Sequence, residues 1–263
     1  MEIEGRTALL TGATGGIGHA IARALAQRGA KLVLTGRRAE VLEPLAAETG
    51  GRSLTVDLAD RAEVDRLIAE TEDVDILIAN AALPASGRVE DYSVEEIDRA
   101  LDVNLRAPIL QARALAPRMV ERGGGHIVLV DSLSGKSAAA RTTLYSATKF
   151  GLRGFGLALR EDFAGTGVGV SLVYPGFIRD AGMFAESGAQ LPKGVGTRTP
   201  DDVAGGVVRA IERDKAEISV AAVGLRIGAA FSQLAPDVAA RVSRRMGSTE
   251  LAEQIVGGQT EKR

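Results

Sequence analysis

The sequence predicts an α/β fold: a doubly wound parallel sheet of about seven strands, with helices on both faces and an added C-terminal helical segment. Three observations predict it. Short apolar runs alternate with helix-patterned stretches along most of the 263 residues. The runs are continuously apolar rather than alternating, as strands covered on both faces by crossover helices should be. No linker-like shift of composition interrupts them, so 1–263 reads as one domain, with a core over 1–221 and a helical extension over 222–263. Repeated strand–helix–strand units imply right-handed crossovers into a single sheet.

In chain order, strands are predicted at 6–11, 31–35, 52–56, 75–79, 126–131, 168–174 and 217–221, with helices at 17–29, 39–49, 60–71, 93–121, 145–165 and 200–213. Asp60 reads as an N-cap, and Ser93 with Glu96 three residues on as a capping box. Pro200-Asp201-Asp202 opens the last of these helices as a first-turn proline should. Residues 179–199, rich in glycine and small side chains, read as a lid over a site.

Composition removes several chemistries. A chain this long buries about 70–75% of its unfolded surface and needs no covalent staple. It has no Cys, which excludes disulfides, thiolate zinc sites and a cysteine nucleophile. Two histidines, His19 and His126, are too few for a metal centre, so no metal ligand is assigned, and both read as packed or surface residues. A net charge of −2 argues against nucleic-acid binding. The start, Met1-Glu2-Ile3-Glu4-Gly5-Arg6, lacks the apolar run of a signal peptide and no stretch approaches a membrane span, so a cytoplasmic location is expected. What remains is Ser, Tyr, Lys, Asp or a bound cofactor, in a chain with only 3 Tyr and, by position, six Lys.

Directly after the first strand comes Thr11-Gly12-Ala13-Thr14-Gly15-Gly16-Ile17-Gly18, followed by a helix. Glycines allow a tight turn and close approach of bare N–H groups to a pyrophosphate, and the helix N-terminus adds roughly half a positive charge. Position between strand and helix is the context that gives such a string meaning, and it makes the sheet Rossmann-like. The T-G-x-x-x-G-x-G spacing resembles that of the short-chain dehydrogenase/reductase family. At the end of the second strand, where an NAD enzyme places an acid on the ribose 2′-hydroxyl, stand Gly36, Arg37 and Arg38. Guanidinium groups can grip a 2′-phosphate in paired hydrogen bonds, which favours NADP(H) over NAD(H); Glu40 is the nearby counter-indication.

Tyr145-Ser146-Ala147-Thr148-Lys149 puts a phenol and an ammonium four residues apart on one helix face. A phenol near pKa ~10 exchanges protons poorly at neutral pH unless positive charge favours its anion. Tyr145 could then pass a proton to or from an alcohol oxygen, with Lys149 tuning it and holding ribose hydroxyls. Thirteen residues upstream, past a buried strand, Ser132 in Asp131-Ser132-Leu133-Ser134-Gly135 is placed to bind and polarise a carbonyl oxygen.

The resemblance extends over residues 5 to about 221. It implies an adenine contact at Asp57 with Leu58 beside it; Asp57 also reads as a loop carboxylate capping the next helix. It implies cofactor contacts at Asn80 and Ala81, an Asn104 that holds a relay water behind Lys149, and a nicotinamide-flanking turn at Pro175, Gly176, Phe177 and Ile178. The family's activity would then be hydride transfer between a carbonyl and an alcohol through Ser132, Tyr145, Lys149 and Asn104, in a homodimer or homotetramer built on helices 93–121 and 145–165. The chain departs from the family pattern at Ala79 and Ala82, at Arg179-Asp180 where a carboxamide-binding Thr is usual, and in its long ending.

Leu83, Leu133, Leu144, Phe177 and Met183 would make the substrate pocket apolar, fitting a hydrophobic ketone or secondary alcohol. In the ending, Ile227, Phe231 and Leu234, then Val238, Val242 and Met246, fall on one helical face beside Arg241, Arg244 and Arg245. That pattern reads as a helical cap packed on the domain or on a second subunit, ahead of a basic amphipathic helix on an anionic membrane. Two other functions keep the cofactor: an NADP(H)-binding regulator without turnover, which would be free to lose Tyr145 or Lys149, and an isomerase working by transient oxidation.

Overall fold

The computed structural model describes residues 1–192, 194–245 and 247–259. Seven parallel strands form one sheet in the order β3-β2-β1-β4-β5-β6-β7. They are β1 (Thr7–Leu10), β2 (Lys31–Gly36), β3 (Arg52–Thr55), β4 (Ile76–Ala79), β5 (Gly125–Val130), β6 (Val168–Pro175) and β7 (Glu217–Val220). The order reverses between β1 and β4, so a crevice opens at their carboxyl ends, where ligands of such sheets bind.

The pleat divides the core in two. Leu10, Ile76, Ile78, Val128 and Val130 point to one face, under α1 (Gly16–Ala26), α2 (Ala39–Thr49) and α8 (Pro200–Arg213). Leu9, Leu77, Ile127 and Leu129 point to the other, under α3 (Arg61–Ala69), α5 (Ala107–Glu121) and α6 (Thr143–Asp162). This two-sided burial explains the unbroken apolar runs. The edge strand β3 differs: Arg52 and Thr55 are exposed, because only one neighbour flanks it.

The capping signals hold. The Asp60 carboxylate accepts from Ala62 and Glu63 N–H, Ser93 and Glu96 form a reciprocal box, and Thr199 with Asp202 caps α8 ahead of Pro200. Asp57 does not cap α3; Asp60 does.

Two expectations need correction, and a third segment gains detail. The stretch predicted as one helix over 93–121 is α4 (Val94–Leu101), a π turn at Asp102–Arg106 and α5. The segment 179–199 contains a short helix, α7 (Gly182–Ser187), and its two ends are clamped where Ile178 pairs with Arg198. The ending folds into α9 (Val223–Leu234), α10 (Pro236–Arg245) and α11 (Ser248–Gly257), but its apolar stripe is not packed on the domain. Ile227 is 64% and Leu234 86% exposed, with Phe231, Val238 and Val242 also exposed. Met246 lies outside the described residues. It is the α11 region that touches the segment 179–199: Gln259, two residues past α11, donates from Nε2 to the Met183 carbonyl at 3.0 Å, and Gln254 Oε1 accepts from Gln190 N–H. No helix among the described residues is long and apolar enough to cross a membrane.

Candidate active site

The glycine loop is shaped by contacts a side chain would destroy. Gly12 sits at φ +67°, and a Cβ there would stand 2.7 Å from the Ala81 Cα. At Gly18 a Cβ would collide with the Gly12 carbonyl oxygen, so the first turn of α1 lies directly against the loop. The loop is locked from behind: the Asn80 amide donates to the Thr11 and Gly12 carbonyls at 3.0 and 3.1 Å, and Thr11 Oγ1 accepts from Asn80 and Ala81 N–H. Asn80 and Ala81 therefore shape the cradle as well as line the cleft; Thr11 is a supporting residue that sequence reading missed. The N-terminus of α1 has no capping side chain and no acid in its first turn, so its N–H groups and dipole face a crevice lined by Gly12, Thr14, Gly15, Gly16 and Ile17. Uncapped N–H groups and a helix dipole at a crevice are an arrangement that suits an anion.

At the carboxyl end of β2, Gly36 packs against Thr14, and the exposed Arg37 and Arg38 wall the cleft. Arg38 Nη2 donates to the Thr14 carbonyl at 2.7 Å, which ties this guanidinium to the cradle. Asp57 and Leu58 line the same end. Burial works against the Asp57 carboxylate, but the Ala59 N–H and the Arg99 guanidinium at 2.9 Å hold its pKa below the ordinary carboxylate range. These features fit a dinucleotide bearing a 2′-phosphate: an open cradle, an uncapped helix end, two guanidinium groups and no acid in the ribose position after β2.

The second cluster stands at the carboxyl end of β5. Ser132, extended at φ −163°, turns the chain into a 3₁₀ segment at Leu133–Gly135, and its hydroxyl accepts from Ser134 N–H at 3.1 Å. Its own proton is then free for the Tyr145 phenol, to which it is hydrogen-bonded. Tyr145 lies in the first turn of α6, its N–H held by the Ala85 carbonyl at 3.1 Å. One turn on, Lys149 is 1% exposed; its Nζ donates to the Val130 carbonyl at 3.1 Å and lies 5.7 Å from the centre of the Tyr145 ring. Burial pushes the phenol well above its ordinary pKa, the Ser132 bond opposes this, and the Asp131 charge adds to it. Burial pushes the Lys149 ammonium down, and Asp131 counters. Ser132, Tyr145 and Lys149 thus converge on one wall of the cleft, as the spacing predicts.

Asn104 is fully buried in the π turn, and its side chain is committed to Leu83: Oδ1 accepts from Leu83 N–H at 2.6 Å and Nδ2 donates to the Leu83 carbonyl at 3.0 Å. Both amide atoms bond to Leu83, so the Asn104 side chain ties the π turn to the segment after β4.

The cleft has a volume of about 2010 Å³, above the 300–1,000 Å³ usual for one ligand, which leaves room for a cofactor and a substrate together. Leu133, Pro175, Gly176, Phe177, Ile178 and Met183 line it as expected, though the Ile178 side chain is mostly core. Leu144 does not line it: one residue before Tyr145, it points about 100° around the helix from the cleft face. Missed lining residues are Phe184, whose ring meets Phe177 at 4.9 Å, and Leu225, Phe231, Leu251 and Ile255 from the C-terminal helices. The i, i+4 pair Leu251/Ile255 was the available signal. His19 is half-buried on α1, and His126 sits at the opposite end of β5, so neither enters the site.

Comparison with known proteins agrees with this geometry. Residues 6–192 match the short chain dehydrogenase family. The ketoacyl reductase HetN of Nostoc sp. is 37% identical over 228 residues, 83% of this chain and 79% of that protein. An uncharacterized oxidoreductase of Staphylococcus aureus (strain USA300) is 35% identical over 217 residues, 80% of this chain and 92% of that protein. Among solved structures, a short-chain dehydrogenase/reductase family protein superposes with a TM-score of 0.76 at 33% identity, covering 84% of this chain and 98% of that one. A short-chain dehydrogenase from Sphingobium yanoikuyae in complex with NADPH gives 0.75 at 29% identity, covering 81% and 87%. The chain belongs to the short-chain dehydrogenase/reductase family and is an oxidoreductase acting on CH–OH groups.

Proposed function

We propose that this enzyme interconverts an apolar ketone and a secondary alcohol using NADP(H) in preference to NAD(H). The observation that carries the reading is the convergence of Ser132, Tyr145 and Lys149 on the wall of a cleft that also contains the glycine cradle and the two arginines past β2. Gly12, Thr14, Gly15, Gly16, Ile17 and Gly18 would seat the pyrophosphate, Arg37 and Arg38 the 2′-phosphate, Asp57 and Leu58 the adenine end, and Pro175, Gly176 and Ile178 the nicotinamide end. When bound, the nicotinamide supplies or accepts the hydride. The NADPH held by the Sphingobium relative supports the cofactor choice.

On the chain's own side, the Ser132 hydroxyl donates to the substrate oxygen and polarises it. Tyr145 gives its phenolic proton to that oxygen in reduction and takes it back in oxidation. Lys149, fixed by the Val130 carbonyl, places a positive charge beneath the ring and can reach ribose hydroxyls. Leu133, Phe177, Met183 and Phe184 exclude water around the reacting carbon. A single-domain enzyme that assembles as a homo-oligomer in the cytoplasm completes the reading; the exposed Val94 of α4 lies in the region the resemblance implies for pairing, and light scattering of the purified protein tests it.

The test is a screen of NADPH and NADH oxidation against ketones, aldehydes, quinones and β-ketoacyl thioesters, the last because one relative is named a ketoacyl reductase. Turnover with an apolar ketone that is faster with NADPH supports the reading. No turnover with any carbonyl, despite tight NADPH binding, would make the protein a sensor instead.

A further inference from the structure

Asp131 is the last residue before Ser132 and the one buried acid in the site for which the proposed chemistry has no use. It is 4% exposed. No side chain among the described residues donates to either carboxylate oxygen, and the two oxygens pack over Gly135, where a Cβ would stand 2.7 and 2.8 Å from them. Its largest compensating charge is Lys149, with the Ser132 N–H next.

The other charged and titratable groups around it are accounted for. Arg153 of α6 and Lys136 after the 3₁₀ segment both feel Asp131, but each is already paired with Glu217 of β7, at 3.1 and 2.9 Å. Tyr174 of β6 donates to the same Glu217 at 2.6 Å. Glu217 thus holds the neighbouring cations, and Asp131 is left to Lys149 and Tyr145.

We infer that Asp131 is a positioning residue, the buried counter-charge of Lys149, which offsets the ammonium beneath Tyr145 and keeps the phenol protonated, poising the resting enzyme as a proton donor for carbonyl reduction. The physical argument is direct. A lone buried ammonium would favour the phenolate, whereas an ammonium–carboxylate pair is nearly neutral to a group beside it. In keeping with this, burial pushes the Asp131 carboxyl up to about 7 against the opposing Lys149 charge, while its own charge pushes Tyr145 up. As the Asp131 carboxyl takes up its proton below that value, its effect on Tyr145 fades.

This rests on the proposed roles of Tyr145 and Lys149, and the experiment separates the two. The pH profiles of kcat/KM are measured in both directions for the wild type, Asp131→Asn, Asp131→Ser and Tyr145→Phe. In cofactor-free protein, tyrosinate absorbance is titrated as the difference between each variant and the same variant carrying Tyr145→Phe. Removing the charge should move the acidic limb of oxidation down by about one pH unit, about tenfold in rate at a fixed pH on that limb, and lower the tyrosinate midpoint alike. Asn and Ser should agree, since both delete the charge. Limbs and midpoints that stay put or rise in both variants overturn the inference. Turnover that survives Tyr145→Phe overturns the underlying reading instead.

Discussion

The two ends of β5 carry two buried titratable groups five residues apart, and they are treated in opposite ways. At the amino end His126 is 2% exposed, its Nε2 meets Ser171 Oγ at 2.9 Å, and burial holds its pKa at about 4, so it is a neutral ring satisfied by the next strand. At the carboxyl end Asp131 is as deeply buried, yet no side chain donates to it. On β5 the amino end closes on the next strand, while the carboxyl end opens into the crevice and leaves a carboxylate without a side-chain donor. A buried carboxylate without a side-chain donor, beside Ser132, is the kind of group that calls for an explanation.

The largest effect should come from the open end. Tyr145→Phe removes one hydroxyl and should lower kcat by about 10²–10⁴-fold with little change in the melting temperature. Steady-state turnover beside thermal unfolding checks this; a small loss would mean that the carboxyl end is not where protons move.

The closed end should respond in stability alone. The folded-state pKa of His126 lies at about 4, below the unfolded value of 6.5, so the folded protein favours the neutral ring. The resulting stability is fully present above pH 6.5 and is lost as pH falls toward 4, on the order of 3 kcal/mol across that window. His126→Gln should flatten this part of the urea-midpoint-against-pH curve and leave turnover at neutral pH unchanged. Equal acid sensitivity of wild type and variant would break the contrast between the two ends.

Much of this contrast was legible in the sequence, for a physical reason. The strands are covered on both faces, so their apolar runs locate them to within a residue or two. Tyr145 and Lys149 were legible because helix periodicity converts a spacing of four into a shared face, and Ser132 because it follows a strand whose end is fixed. What escaped depends on distant partners. The π turn leaves the local pattern of 93–121 unchanged, and the commitment of Asn104 to Leu83 crosses 21 residues. Leu251 and Ile255 reach the cleft from about a hundred residues beyond Tyr145. Leu144 was misassigned because adjacency in sequence is divergence on a helix. Asp131 was in view from the start, but its isolation shows only when Glu217, two strands away, is seen to hold Lys136 and Arg153.

The same polarity should hold along β2, with the smallest effect. Its amino end carries the exposed Lys31, and past its carboxyl end stand Arg37 and Arg38. If carboxyl ends alone are committed to ligands, Lys31→Ala should leave cofactor binding unchanged, and Arg37→Ala should weaken NADPH about tenfold while sparing NADH, as loss of one charge-assisted hydrogen bond to phosphate requires. Arg38→Ala should differ in kind. Because Arg38 also holds the Thr14 carbonyl at 2.7 Å, its removal loosens the cradle that both cofactors share and should weaken NADH as well as NADPH. Fluorescence titration of the three variants with both cofactors resolves this. Equal losses for NADPH and NADH in Arg37→Ala would remove the basis for the NADP(H) preference, and an effect of Lys31→Ala would remove the polarity on which the comparison depends.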